Sequence, residues 1–283
     1  MAGSLDGKVV LVTGATRGIG RAAARQLASL DATTYLVGRD PGRVRDAVEE
    51  VRRAAGGGRV EGLVADLSSQ AEVLRLAGEV RGRTDRLHVL LNNVGAYFGD
   101  RRVSADGLEL TFALNHLSYF LLTRQLLPLL EAGAPSRIVN VSSAAHQGAR
   151  MAWDDLLAER RYSSWGAYGQ SKLANVLFTR ELARRLGGAR VTANALHPGV
   201  VATHFAVEEG GLAGAFFRLA RPFLASPEKG ARTPVYLASA PEVEGVTGKY
   251  FADLREEEPS VAARDDAAAA RLWEISERMT GLA

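Results

Sequence analysis

The strongest constraint on this chain lies in its first thirty residues, where a short apolar run breaks into glycines and a helical pattern begins at once. Residues 8–13 read as a buried strand, and residues 19–30 as a helix. Between them runs Thr13-Gly14-Ala15-Thr16-Arg17-Gly18-Ile19-Gly20. A helix that starts directly after a strand offers unpaired N–H groups and a positive dipole end at the turn, and glycines let the backbone bend tightly and approach an anion. The spacing is G-x-x-x-G-x-G, and glycine also serves tight turns for steric reasons alone. Its place between the first strand and the first helix makes phosphate binding by Gly14, Thr16, Arg17, Gly18, Ile19 and Gly20 the expectation.

The same alternation continues along the chain. Residues 33–37, 60–64, 88–92, 137–141, 191–196 and 249–251 read as strands. Residues 42–55, 107–130, 166–186 and 265–279 read as helices, Pro41 suits a helix start, and Ser226-Pro227 opens a further helix. Strands alternating with helices imply right-handed βαβ units and a parallel sheet. The strand runs are continuously apolar, as they must be when helices cover both faces. The expected fold is α/β, a doubly wound parallel sheet forming a single domain over residues 1–283.

Composition narrows the function. With 283 residues, 47% of them hydrophobic and 24% charged, the chain can bury a full core and is neither disordered nor fibrous. Cysteine is absent, which excludes disulfides, thiolate metal sites and cysteine nucleophiles; no metal site is expected. Net charge is +3, and the basic residues are four lysines and thirty-one arginines interleaved with acids rather than clustered, so no nucleic-acid partner is expected. No apolar run reaches the roughly 20 residues that span a bilayer, and the start of the chain lacks a signal-peptide layout. A cytoplasmic protein without a stable membrane anchor is the expectation.

The second strand bears on the choice of cofactor. In this kind of sheet an acid at the end of that strand holds the ribose 2′-hydroxyl of NAD. Here Leu36-Val37-Gly38-Arg39 puts glycine in that place and an arginine after it. Arg39, with Arg17 from the glycine loop, suits a 2′-phosphate, since a guanidinium binds its oxygens bidentately. The expected cofactor is NADP(H), although Asp40 could still partly serve a hydroxyl. Asp66 ends the third strand, beside Leu67, where its carboxylate can accept from an adenine amino group; the plain alternative is helix capping, which Ser68 or Ser69 can do alone. Asn92-Asn93-Val94-Gly95 ends the fourth strand at the carboxyl edge, where ligands bind in such sheets.

Tyr168-Gly169-Gln170-Ser171-Lys172 places a phenol and an ammonium at i and i+4, on one helix face. Seven tyrosines and four lysines produce only about 0.1 such pairs by chance. The chemical reading is a general acid/base whose pKa the neighbouring ammonium lowers; the plain one is a surface pair. Ser142 and Ser143 end the fifth strand at the same edge, where a hydroxyl can hold a carbonyl oxygen or simply cap a turn.

These motifs together resemble a short-chain dehydrogenase/reductase. The likeness rests on Thr13-Gly14-x3-Gly18-x-Gly20, Asp66, Asn92-Asn93-Val94-Gly95, Asn115, Ser142-Ser143, Tyr168-x3-Lys172 and Pro198-Gly199-x3-Thr203, in order over nearly the whole chain. Val94 departs from the family's usual alanine. Within the family the chain is most similar to the retinol dehydrogenase-like group, through residues 111–117, 171–178 and 248–251 and the 25-residue separation of Ser143 and Tyr168. Many animal members of that group begin with a membrane-anchoring segment, which is not carried over.

The resemblance implies a Rossmann-type oxidoreductase with Tyr168 moving the proton, Lys172 lowering its pKa and binding the nicotinamide ribose, Ser143 rather than Ser142 orienting the carbonyl, and Asn115 holding a water. It also implies that Asn93, Gly95, Pro198, Gly199, Val201 and Thr203 line the cofactor, and that the protein is a dimer or tetramer. Residues 203–226, rich in Phe and Leu with three glycines, are expected to form a substrate lid. The expected reaction interconverts an apolar carbonyl and alcohol; the competing expectation is a nucleotide-binding regulatory or scaffolding protein on the same fold.

Overall fold

The computed structural model describes residues 3–55, 59–187, 190–199 and 226–282. Among them, eight strands form one sheet: β1 (Val9–Thr13), β2 (Thr33–Gly38), β3 (Val60–Val64), β4 (Val89–Asn92), β5 (Ser136–Val141), β6 (Val191–His197), β7 (Tyr250–Ala252) and β8 (Arg255–Glu256). Their spatial order is β3-β2-β1-β4-β5-β6-β7-β8. Strands β1 to β7 pair in parallel, and β8 runs antiparallel to β7. The helices are α1 (Gly18–Ala28), α2 (Pro41–Ala54), α3 (Gln70–Arg83), α4 (Leu110–Phe112), α5 (Ser118–Ala132), α6 (Ser164–Leu186), α7 (Pro227–Ser239) and α8 (Asp266–Met279).

The strand side chains explain why both faces are covered. Val10 and Val12 of β1 join one core with Ala23 and Leu27 of α1, Val44 and Val48 of α2, and Val235 of α7. Leu11, between them, points the other way into a core with Val73 and Leu76 of α3, Leu126 of α5 and Phe178 of α6. Successive strand residues face opposite sides, so a strand buried on both must be apolar at every position. The doubly wound expectation holds, with one addition. β7 turns back into β8 through Asp253 and Leu254, both at positive φ (41° and 67°). Two central residues at positive φ make a tight hairpin turn, normally flagged by Asn-Gly or Asp-Gly. Asp-Leu carries no such flag, so the hairpin was not expected.

The helix expected over 107–130 also differs. Gly107 lies in a turn at φ +78°, and Glu109 caps the element by accepting from the N–H groups of Thr111 and Phe112, both at 2.8 Å. A π-helical turn, Ala113–Leu117, then separates α4 from α5. Helix α3 starts from Ser69, whose side chain accepts from Glu72 N–H.

Order reverses at β1, whose neighbours β2 and β4 lead to opposite edges, so the loops after β1 and β4 open a crevice at the carboxyl edge. Thr13 and Asn93 tie its two sides. Thr13 Oγ1 accepts from Asn93 N–H (2.9 Å) and Val94 N–H (3.1 Å), and Asn93 Nδ2 donates to the Thr13 carbonyl (2.9 Å). Gly14 (φ +64°) permits this approach, and a Cβ at Gly20 would collide with the Gly14 carbonyl and the Asn93 amide. Gly20→Ala is therefore expected to cost about 1–3 kcal/mol, as overpacking does, measured as a lower urea midpoint. An unchanged midpoint would show that the loop yields.

Candidate active site

The crevice walls hold the residues expected to meet a dinucleotide. Arg17 stands at the N-cap of α1, and Gly18 follows at φ +57°. At the end of β2, Gly38 is buried, and a Cβ there would collide with the Thr16 methyl carbon. Packing thus keeps this position free of a side chain. Arg39, next along, is exposed and has no hydrogen bond or ion pair with another described residue. Asp40 commits one oxygen to capping α2, accepting from Arg43 N–H at 2.8 Å. Asp66 forms a local turn, its Oδ1 accepting from Ser68 N–H (3.0 Å) and Ser68 Oγ (2.8 Å), beside buried Leu67. Pro198 and Gly199 (φ +81°) follow β6. Val201, Thr203 and residues 203–225 of the expected lid lie outside the described residues.

The chemical residues converge from α6, the π turn and the end of β5. The i, i+4 spacing on α6 brings Lys172 Nζ to 5.8 Å from the centre of the Tyr168 ring, and both residues are buried. Lys172 Nζ donates to the Val141 carbonyl at 3.1 Å. A Cβ on Gly95 would lie 3.2 Å from Lys172 Nζ and 3.4 Å from Asn115 Oδ1, so the β4 loop, the π turn and α6 meet there. The Asn115 side chain is fully engaged: Oδ1 accepts from Ala96 N–H (2.8 Å), and Nδ2 donates to the Ala96 carbonyl (2.9 Å) and Ser171 Oγ (3.0 Å).

The two serines divide their work. Ser142 Oγ donates to the Lys172 carbonyl at 2.7 Å, deep in the core. Ser143 is only half-buried and lies against the Tyr168 hydroxyl. Ser143 Oγ also caps the next turn, accepting from Ala145 N–H at 3.2 Å, and differs from Ser142 in being half-exposed beside Tyr168.

Electrostatics depart from the sequence expectation. Burial pushes the Tyr168 phenol up to about 12, with the Ser143 hydroxyl pulling the other way, and brings Lys172 down to about 7. The phenol thus stands above its ordinary value, not below it. Lys172 spends its ammonium on the Val141 carbonyl, and removal from water disfavours the charged form of both groups.

Several residues here had no sequence signal of their own. Asn175 donates from Nδ2 to the Asn115 carbonyl (2.9 Å) and the Val141 carbonyl (3.4 Å). The Tyr97 and Trp165 rings flank Tyr168, with centroids 6.1 and 6.0 Å from it. Only the fold brings the Tyr97 loop to this helix, so spacing could not reveal it.

The short chain dehydrogenase family model matches residues 8–210. The chain belongs to this family of oxidoreductases. It is 43% identical to retinol dehydrogenase 14 of Homo sapiens, over 99% of this chain and 88% of that protein. A crystal structure of an uncharacterized protein from Mycobacterium paratuberculosis superposes with a TM-score of 0.80 at 34% identity, covering 99% of this chain and 96% of the other. The NADP active-site complex of Pseudomonas aeruginosa RhlG superposes at 0.70 with 29% identity, covering 88% of this chain and 95% of the other. Within the family the chain groups with the retinol dehydrogenases. At Gly14, Gly20 and Gly38 an added Cβ would meet the protein's own atoms, so these positions of the crevice wall stay without side chains, which fits the nicotinamide dinucleotide that the family binds. Among the described residues no helix is long and apolar enough to cross a membrane, and no cluster of metal-ligating side chains occurs.

The Lys172 shift has a consequence for stability. Its folded-state pKa lies below the ordinary 10.5, so the cost of holding it charged is fully present below about pH 7 and fades as pH rises toward 10.5. At about 1.4 kcal/mol per pKa unit, the cost is a few kcal/mol. Lys172→Met is therefore expected to change the urea midpoint more favourably at pH 6 than at pH 9.5. Equal changes at the two pH values would contradict this.

Proposed function

We propose that this protein is an NADP(H)-dependent oxidoreductase that interconverts an aldehyde or ketone and the corresponding alcohol on an apolar substrate, with Tyr168 as general acid/base. One observation carries the reading: the Tyr168 and Ser143 hydroxyls adjoin at the carboxyl edge, with Lys172 behind them. A proton donor must meet the substrate oxygen directly, and a second hydroxyl there fixes that oxygen's position.

Gly14, Thr16, Gly18, Ile19 and Gly20 would hold the pyrophosphate, Arg17 and Arg39 the 2′-phosphate, and Asp66 and Leu67 the adenine. Asn93, Gly95, Tyr168, Lys172, Pro198, Gly199, Val201 and Thr203 would line the nicotinamide half. A nicotinamide dinucleotide bound there supplies or takes up the hydride. NADP is favoured over NAD because Gly38 leaves no acid at the β2 end, Asp40 is engaged in capping, and Arg39 has no partner among the described residues. The complex of RhlG, a similar protein, holds NADP.

In the reducing direction the Tyr168 hydroxyl gives its proton to the substrate oxygen while the Ser143 hydroxyl donates a hydrogen bond to it. Burial keeps the phenol protonated at neutral pH, which suits a donor. A charged Lys172 behind it stabilises the phenolate left once the proton has gone. The Asn115 amide is spent on Ala96 and Ser171, so a water at this residue would be held by its backbone carbonyl, which also accepts from Asn175 Nδ2. Tyr97 and Trp165 border the donor with aromatic surface, which favours apolar substrates.

Two variants test the reading. Tyr168→Phe deletes one hydroxyl and is expected to lower carbonyl reduction by more than about a hundredfold, with NADPH affinity by fluorescence titration unchanged. Retention of most of the rate would remove Tyr168 as the acid. Arg39→Ala is expected to weaken NADPH binding by about 1–3 kcal/mol, the range of a charge-assisted hydrogen bond, and to leave NADH binding alone. Equal loss for both cofactors, or a parent enzyme that uses them equally, would overturn the 2′-phosphate assignment.

A further inference from the structure

His146 lies three residues after Ser143, at the end of a short 3-10 turn, Ala144–His146. It is completely buried, and both ring nitrogens are in use. Nδ1 lies 2.7 Å from the Ser143 carbonyl, and Nε2 lies 3.3 Å from the Ser260 N–H. These backbone partners fix the tautomer. An amide N–H can only donate, so Nε2 accepts; a carbonyl can only accept, so Nδ1 carries the proton and donates. The Tyr250 hydroxyl stands 3.4 Å from Nδ1, and its ring packs against the imidazole with centroids 4.7 Å apart. Burial lowers the His146 pKa, which keeps the ring neutral and this tautomer in place.

We propose that His146 is a positioning residue for the carbonyl-orienting hydroxyl: it clamps the Ser143 backbone to the segment at Ser260 and thereby sets where Ser143 Oγ points. The proposal rests on the reading of Ser143 given above. Ser143 follows the end of β5, and only one short turn restrains it on the far side. Its carbonyl accepts from His146 N–H at 3.1 Å and from the ring at the shorter 2.7 Å. The Ser143 hydroxyl accepts from Ala145 N–H at 3.2 Å within the same turn, and the imidazole adds the tertiary link, through Nε2, from that turn to Ser260. The Ser260 side chain in turn caps the turn Val261–Arg264, accepting from Ala263 N–H at 3.3 Å, so the clamp is anchored in a second element rather than in a loop.

The two nitrogens can be removed separately. In His146→Asn the side-chain N–H₂ falls near the place of Nδ1 and still reaches the Ser143 carbonyl; in His146→Gln the amide extends toward the place of Nε2 and leaves that carbonyl. The Gln variant is expected to lower kcat for carbonyl reduction roughly tenfold to a hundredfold, the scale of a small misplacement at a reacting centre, with NADPH affinity unchanged. The Asn variant is expected to keep kcat within a few-fold of the parent. If Asn and Gln lower kcat equally, the ring acts as filling and the proposal fails. Combining His146→Gln with Ser143→Ala supplies a readout that general destabilisation does not move. Where the serine hydroxyl is already gone, losing its positioning should add little, and the two losses should be far from multiplicative. Multiplicative losses would overturn the clamp while leaving Ser143 as the orienting group. A Ser143→Ala enzyme with parental activity would instead remove the Ser143 reading itself, and the clamp with it.

Discussion

The carbonyl of Val141, the last residue of β5, is the point on which the site depends. It accepts from Lys172 Nζ at 3.1 Å, lies 3.4 Å from Asn175 Nδ2, and stands 3.5 Å from the Tyr119 hydroxyl. A strand end at the carboxyl edge of a parallel sheet leaves its last carbonyl unpaired by the ladder, and burying such a group without a partner costs about 1–3 kcal/mol. Here side chains from α5 and α6 converge on it. Tyr119 also donates to the Val94 carbonyl at 2.7 Å, which carries the same restraint across to the β4 loop. The helix bearing Tyr168 and Lys172 is thereby set in register against the loops that would carry a cofactor.

Burial then decides the charge state of the chemistry. Tyr168 and Lys172 sit close enough for an ammonium to stabilise a phenolate, and the sequence pair alone points to a lowered phenol pKa. Desolvation outweighs that attraction in the folded protein, because neither group faces water and Lys172 is turned to a backbone carbonyl. The same low-dielectric surroundings make Tyr168 a persistent donor and Lys172 a group that titrates near neutrality. Charge compensation at this site is consequently sensitive to anything that changes what surrounds Lys172.

Much of this was legible in the chain. Continuous apolar runs such as Val9 to Thr13 announce strands buried on both faces, and the glycine spacing after β1 and the Tyr168–Lys172 pair locate the two ends of the crevice. What was hidden depends on partners distant in sequence. Gly38 reads as a missing acid, whereas the structure shows why nothing larger fits: the Thr16 methyl fills the space. Asn115 reads as the holder of a water, but its side-chain amide is spent on Ala96 and Ser171, and the π turn around it carries no periodic signal inside an apolar helix. The β7–β8 hairpin was missed because Asp253 and Leu254 adopt positive φ without a glycine, a conformation held in part by Leu254 N–H donating to Thr233 Oγ1 at 3.2 Å. Ser142 and Ser143 are indistinguishable as letters and differ only in what each hydroxyl touches.

The central claim is that the crevice performs carbonyl chemistry on apolar substrates rather than merely holding a nucleotide. The most direct measurement is NADPH consumption at 340 nm by the wild-type protein against a series of straight-chain aliphatic aldehydes. The account predicts consumption dependent on aldehyde, with kcat/KM rising several-fold per added carbon over the first members, as about 0.8 kcal/mol per buried methylene requires. Tight NADPH binding with no consumption across aldehydes and ketones would contradict it and leave a nucleotide-binding protein on the same fold.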